Sequence, residues 1–350
     1  MRKAYHLSIF GVSYQKEYKR VDNYMGSVRK LAKEIERGLK ETLPNLRKVL
    51  QKNLPLAIGA MLKARTANTA LISTYLPLKT ERDDLHQQWF RRLLSNRFLS
   101  STEIMPPFVQ PLLQAASRNG QTLQLSMDQI DNGNQFAVLV IGIRIGDRAL
   151  PLAWRVEFVA ANIGFEGQRE VLEQVLKWLP SDVKVMLSAD RFYPSQELFA
   201  WLKVHNWQYR LRLKSHFLAD LGIAEPTTTG SLAKGWSQRY ETNVAWFETG
   251  VMTNLGILHP QGHKEPWIIA MECQPTRARV LDYASRWCIE PRFSDFKSRG
   301  FGLEQTHLTE PRPINKLLLI MSLAMYWCVS AGYAQAPYHL SNSQRRNKIG

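Results

Sequence analysis

Through the first third of the chain, apolar positions recur every three or four residues. In GSVRKLAKEIERGLKETL (residues 26–43), Val28, Leu31, Ile35, Leu39 and Leu43 keep that spacing with basic residues between them, which predicts an amphipathic helix. LPNLRKVLQKNLPLAIGAMLKA predicts a second helical stretch, interrupted at Pro55 because proline removes a backbone donor. DDLHQQWFRRLLSNRFLSS (83–101) predicts a third, with Arg91, Arg92 and Arg97 near its end. A helix-turn-helix fits such a region, as does an ordinary helical hairpin.

Pro106, Pro107 and Pro111 punctuate the chain before the period changes at about residue 120. TLQLSMDQI (122–130), QFAVLVIGIRI (135–145) and RALPLAWRVEF (148–158) read as three consecutive antiparallel strands. Asp131-Asn132-Gly133-Asn134 supplies the first turn and Gly146-Asp147 the second. A helix (GQREVLEQVLKWL, 167–179), a buried strand (VKVMLSAD, 183–190), another helix (SQELFAWLKVH, 195–205) and a strand (WQYRLRL, 207–213) follow. This βββ-α-β-α-β order predicts an α/β fold, a mixed sheet with helices on its faces. Residues 216–275, with PTTTGS, several glycines and aromatic strand-like pieces, read as a β-rich insertion, and helix resumes at Thr276. The expected division is a basic helical DNA-binding region at 1–118 and a sheet domain at 119–215. The insertion spans 216–275, the domain's helical remainder 276–335, and a basic tail 336–350.

Charge sharpens the picture. The chain of 350 residues carries a formal net charge of +16, and residues 1–120 hold 21 Lys and Arg against 9 Asp and Glu, three quarters of the excess. Clustered positive charge attracts a polyanion, so nucleic acid is the expected partner ahead of a basic surface kept for solubility. The three cysteines, Cys273, Cys288 and Cys328, are far apart, which argues against a disulfide scaffold or a cysteine zinc site and fits a reducing cytoplasm. No Walker A or G-x-G-x-x-G run occurs, which disfavours a nucleotide-driven motor or a dinucleotide enzyme. The amino terminus is not expected to be a signal peptide. Leu317 to Ala334 carries no charge over about 18 residues, enough for a membrane span, but a core helix lying on a sheet is the preferred expectation.

Two aspartates stand in apolar strands. Asp128 lies inside LQLSMDQI, and Asp190 ends VMLSAD. A carboxylate in such a setting is costly unless it is paired or holds a cation. The plainer alternative for Asp190 is a helix cap near Pro194. A third acidic residue, Glu290, falls in LDYASRWCIEPRFSDFKSRGFGLE. At about 100° per residue, Tyr283, Arg286, Glu290 and Lys297 line one face if the helix continues past Pro291. A solvated helical face is the alternative.

The spacing Tyr-x2-Arg-x3-Glu-x6-Lys resembles the signature of a large family of bacterial cut-and-paste DDE transposases, insertion sequence family four. ADRFYPSQELFAWL followed by YRLRLK resembles that family's second acidic block, and the R-W-C-I-E and D-F-K-S-R-G-F-G-L-E runs resemble its third. The resemblance spans about residues 120–310. Departures are Gln129-Ile130 after Asp128, Phe192 where a glycine is frequent, and Pro291 after the glutamate.

The resemblance implies a ribonuclease H-like fold in which Asp128, Asp190 and Glu290 converge as catalytic and metal-binding residues. It implies two Mg²⁺ ions, with Mn²⁺ substituting, about 3.5–4 Å apart in an in-line displacement. Arg286 and Lys297 would hold phosphates and Tyr283 would donate to one. Trp267 would stack a flipped base, unless it is simply a core residue, and Arg210 and Arg212 would reach DNA. The implied partners are double-stranded DNA, as terminal inverted repeats and target, and a second copy of the chain as a homodimer. The implied setting is the nucleoid of the cytoplasm, without a membrane. Implied activity is end hydrolysis followed by transfer of 3′-hydroxyls. The competing expectations are a ribonuclease H-like nuclease without strand transfer and a decayed or truncated transposase that only binds DNA.

Overall fold

The computed structural model describes residues 28–132, 136–146, 148–158, 162–222, 225–246, 250–284 and 301–346. They fall into two compact units, Met1–Ala115 with Ser294–Gly350, and Ala116–Phe293.

The first unit is helical. Its amino-terminal part runs through α1 (Val28–Thr42), α2 (Lys48–Ala64), α3 (Thr69–Thr74), α4 (Asp83–Leu94), α5 (Ser101–Ile104) and α6 (Pro106–Ala116). The three-and-four spacing in α1 works as expected: Ile35 and Leu39 are buried while the intervening basic residues stay at the surface. The break expected at Pro55 is absent. Pro55 is buried inside a continuous α2, whose run Ala57–Leu62 is buried on every side. Asn68 caps α3 by accepting from the backbone N–H of Ala70 and of Leu71.

The second unit is built on one ten-stranded sheet. Its strands are β1 (Leu123–Asn132), β2 (Phe136–Ile145), β3 (Arg148–Glu157), β4 (Val185–Ala189), β5 (Gln208–Arg212), β6 (Leu218–Asp220), β7 (Thr227–Thr228), β8 (Gln238–Trp246), β9 (Val251–Leu258) and β10 (Trp267–Met271). They lie in the order β3-β2-β1-β4-β5-β10-β9-β8-β6-β7. The first three form the expected antiparallel meander. β1, β4 and β5 are parallel, which requires the crossover helices α7 (Phe165–Leu176) and α8 (Gln196–Val204). α7 packs on β2 and β3 through its stripe of Val171, Leu172 and Val175. Order and direction over β3-β2-β1-β4-β5 are those of a ribonuclease H-like sheet.

The β-rich insertion is not a separate sheet. β10 pairs antiparallel with β5 on one side and β9 on the other, so β6 to β10 extend the same sheet. A short helix, α9 (Thr229–Ala233), lies within it, and α10 (Arg277–Leu281) follows β10. Thr276 caps α10 by accepting from the Arg279 N–H at 3.3 Å.

The chain then returns to the first unit and ends in α11 (Pro311–Arg346). By length and composition Pro311–Ala331 could cross a membrane, but 78% of its most apolar window is buried. The expectation that this helix lies on a sheet is corrected. It packs against α2, α4 and α5, because the apolar surface of α2 offers it a helical partner. Thr66 donates its hydroxyl to Gln305 Oε1 at 2.9 Å, tying the end of α2 to the segment that leads into α11.

Gly256 in β9 marks the tightest contact behind the site. A Cβ there would stand 2.2 Å from Val280 Cγ2 of α10 and 3.1 Å from Met271 Cε. Gly256→Ala should therefore push α10 off the sheet and lower stability by about 1–3 kcal/mol, read as a shifted urea midpoint with unchanged slope.

Candidate active site

Register on the parallel strands brings the first two acidic residues together. Met127 of β1 pairs with Ala189 of β4, so Asp128 and Asp190, each the next residue, are neighbours across adjacent strands. Strand spacing sets their backbones roughly 4.8 Å apart. Ala189 in turn pairs with Leu211 of β5, and the same register sets Arg212 beside Asp190. Asp128, midway along β1, thus forms a row with Asp190 and Arg212 at the carboxyl ends of β4 and β5, the edge at which open α/β sheets place their sites. One step below, on the same face, runs the row Ser126, Ser188, Arg210.

The two rows differ in burial. Both aspartates are half-buried. Ser126 and Ser188 are buried, and Ser126 Oγ has no hydrogen-bond partner among the described residues. The Gln129 backbone N–H donates to Asp128 Oδ1 at 3.0 Å. Asp190 does not cap the following helix; Ser195 does, accepting from the Leu198 N–H at 3.2 Å. The Asp190 carbonyl instead closes a tight turn by accepting from the Tyr193 N–H at 3.2 Å.

Tyr283 belongs to this site, though not as a surface group. It follows α10 in a turn, is fully buried, and points its hydroxyl at Asp190 Oδ1, 3.4 Å away. Its ring packs edge-on against Trp267 at a centroid distance of 6.0 Å. An ordinary DNA-contacting tyrosine would be exposed; this one braces a carboxylate from within the core.

Two expected DNA contacts are placed elsewhere. Trp267 begins β10, paired on both sides, and its ring is enclosed by Leu258, Ile269, Met271, Val280 and Tyr283. At 3% exposure it offers no face to a base. Arg210 is equally closed in. Its guanidinium donates to the Arg279 carbonyl at 3.0 Å, the Tyr209 carbonyl at 2.7 Å, Glu272 Oε2 at 3.2 Å and Asp282 Oδ2 at 3.3 Å. A strand-borne cation turned into the protein needs such partners, and the ones it found tie β5 to the ends of β10 and α10. Glu272 also accepts from the Tyr209 N–H at 2.8 Å. Burial pushes the Tyr209 hydroxyl up to about 12, so it stays protonated in its bond with Thr253. Arg212, by contrast, keeps partial exposure and shares Glu265 with Arg191, at 3.4 and 2.9 Å.

Arg286, Glu290 and Lys297 lie outside the described residues, as does most of the helical face they were expected to share. Among the described residues no group of three or more His, Cys, Asp or Glu is disposed to hold a metal. The pair Asp128 and Asp190 nonetheless fits a hard cation: two carboxylates at neighbouring positions of adjacent strands repel each other, and a divalent ion relieves that repulsion.

Residues 164–328 match the family model of the transposase DDE domain. The match begins at the residue before α7 and ends within α11. It therefore includes Asp190, Tyr283, Arg286, Glu290 and Lys297 and leaves out Asp128. No curated protein matches the chain. Over residues 164–328 the chain is similar to the transposase DDE domain, and its sheet has ribonuclease H-like strand order.

Arg210→Met removes the cation between Glu272 and Asp282 while keeping side-chain volume. It should cost about 1–3 kcal/mol in chemical denaturation, with Glu272→Gln recovering part of the loss in the double variant.

Proposed function

We propose that the protein is an insertion-sequence transposase of the Tyr-Arg-Glu-Lys type, insertion sequence family four. It would cut the ends of its element and join the freed 3′-hydroxyls to target DNA. The observation that carries this reading is the side-by-side placement of Asp128, within β1, and Asp190, just past the end of the parallel strand β4, in a chain whose matched domain also contains Glu290.

In this reading Asp128, Asp190 and Glu290 supply oxygen ligands for divalent metal, Mg²⁺ or Mn²⁺. Metal bound there would activate a water or 3′-hydroxyl and offset charge on the phosphoryl and leaving oxygens. The chain's residues do the positioning. Asp128 is held by the Gln129 N–H, and Asp190 is steered by the Tyr283 hydroxyl. Arg212, beside Asp190, is available to a phosphate once it leaves Glu265, and its planar fork suits a bidentate contact. Arg286 and Lys297 would hold the phosphates flanking the cut, and two copies of the chain would pair two element ends.

The test is Mg²⁺-dependent nicking and joining of a duplex that ends in the element's inverted repeat. Asp190→Asn and Glu290→Gln should each lose about a hundredfold or more in nicking rate while still binding the duplex, the scale expected when transition-state charge stabilisation is removed. Wild-type nicking without joining would mark a nuclease. Undiminished nicking by Asp190→Asn would overturn the site.

Tyr283→Phe deletes one hydroxyl from a buried ring. It should change stability by about 1 kcal/mol or less and raise the Mg²⁺ concentration needed for half-maximal nicking. An unchanged Mg²⁺ dependence would remove Tyr283 from the support of Asp190.

A further inference from the structure

Beneath the two carboxylates the same sheet face carries a second polar layer. Ser126 of β1 pairs in register with Ser188 of β4. Each stands two residues before its aspartate, so each shares that aspartate's side of the sheet. On the β2 side Ser126 faces Gly142, at the point where the β2–β3 register shifts. On the far side of Ser188 the row ends in Arg210, whose guanidinium is taken up by Glu272, Asp282 and the Arg279 carbonyl. Gly142, Ser126 and Ser188 therefore put three small residues side by side under a pair of acids.

Small residues alone make no site. Ser126 supplies the second observation: it is 0% exposed, and its Oγ has no hydrogen-bond partner among the described residues. An unbonded buried hydroxyl is destabilising, and an alanine there would remove the penalty. A hydroxyl kept in such a place needs a polar partner. The layer above offers one through a single water, because a buried water is held by two to four polar groups. Ser126, Ser188, Asp128 and Asp190 are four such groups around one point of the sheet face. The carboxylates are already held elsewhere, Asp128 Oδ1 by the Gln129 N–H at 3.0 Å and Asp190 Oδ1 by the Tyr283 hydroxyl at 3.4 Å. A hold from the serine layer would fix them from below as well.

We propose that Ser126 is a positioning residue for the divalent-metal site. Its hydroxyl and that of Ser188 donate to one shared water, and the water donates one proton to an oxygen of Asp128 and the other to an oxygen of Asp190. This bridge offsets part of the repulsion between the two acids and turns them toward a common ion. Partners in this outer position set how tightly a metal is bound, although they do not touch it. The inference rests on the reading of Asp128 and Asp190 as metal ligands, and it assigns a role to a buried donor that the fold leaves unused.

The experiment titrates the whole chain with Mn²⁺ in the absence of DNA and follows free Mn²⁺ by electron paramagnetic resonance, with a circular-dichroism melt of every variant. Ser126→Ala should bind Mn²⁺ about tenfold more weakly than wild type, the scale of outer-shell substitutions. Ser126→Thr keeps the hydroxyl, adds one methyl beside Gly142, and should restore the affinity. Because both serines act on one water, the double variant Ser126→Ala with Ser188→Ala should bind no more weakly than Ser126→Ala alone, whereas independent groups would add. Additive losses would overturn the shared water. Wild-type Mn²⁺ affinity in Ser126→Ala, with Asp190→Asn weakened at least tenfold, would overturn the positioning role and leave the carboxylate site standing. If Asp190→Asn binds Mn²⁺ as wild type does, the metal-site reading itself fails and takes this inference with it.

Discussion

Parallel pairing of β1, β4 and β5 is the constraint on which the site depends. Antiparallel neighbours would have sent the ends of β1 and β4 to opposite edges of the sheet. Parallel pairing brings both ends to one edge, and the register that matches Met127 with Ala189 makes Asp128 and Asp190 neighbours. A slip of one residue on either strand would turn one carboxylate to the opposite face. The apolar residues beneath them, Leu125 and Met127 in β1 and Leu187 and Ala189 in β4, are buried and hold that register. The hydrophobic core thus sets the separation of two like charges that would not approach each other unaided.

The insertion reinforces the same edge. Because β10 pairs with β5, the segment that follows it returns directly to the site, and Arg210 secures that return with bonds to Glu272, Arg279 and Asp282. Tyr283 then meets Asp190. The buried cation and the buried phenol stabilise the frame that presents the carboxylates, while Arg191, Phe192, Arg212 and Lys214 of the same region keep at least partial exposure. This separation of supporting from exposed residues explains why two arginines only one residue removed from being neighbours, 210 and 212, have different environments. Their strand alternation is shared, but Arg212 stands at the open end of the row and Arg210 one layer further in.

Much of this was legible beforehand. Runs of strand-favouring residues with turn residues between them gave away β1 to β3, and alternation of apolar runs with helical spacing gave away the crossovers, because these signals are local to each element. The two aspartates could be singled out because a charge in an apolar strand is conspicuous. Other features left weak local signals. Pro55 looks like a helix breaker, yet the packing of α2 against α1 and α11 keeps the helix whole. The apolar stretch of α11 has the composition of a core helix, a sheet-covering helix or a membrane span alike; its partner, α2, decided among them.

By itself the sequence determined the order of elements, the positive amino-terminal third, and the presence of acidic residues in apolar strands, since propensity, periodicity and charge are properties of short segments. Only the tertiary structure decided which side chains share a face and which reach solvent. Tyr283, Trp267 and Arg210 have the chemistry of DNA contacts, and burial makes them supports. Phe192 has the chemistry of a core residue, and an anchored turn leaves it exposed. Exposure and adjacency are set by pairings between residues far apart in the chain, here 128 with 190 and 210 with 272 and 282, and no local pattern encodes them.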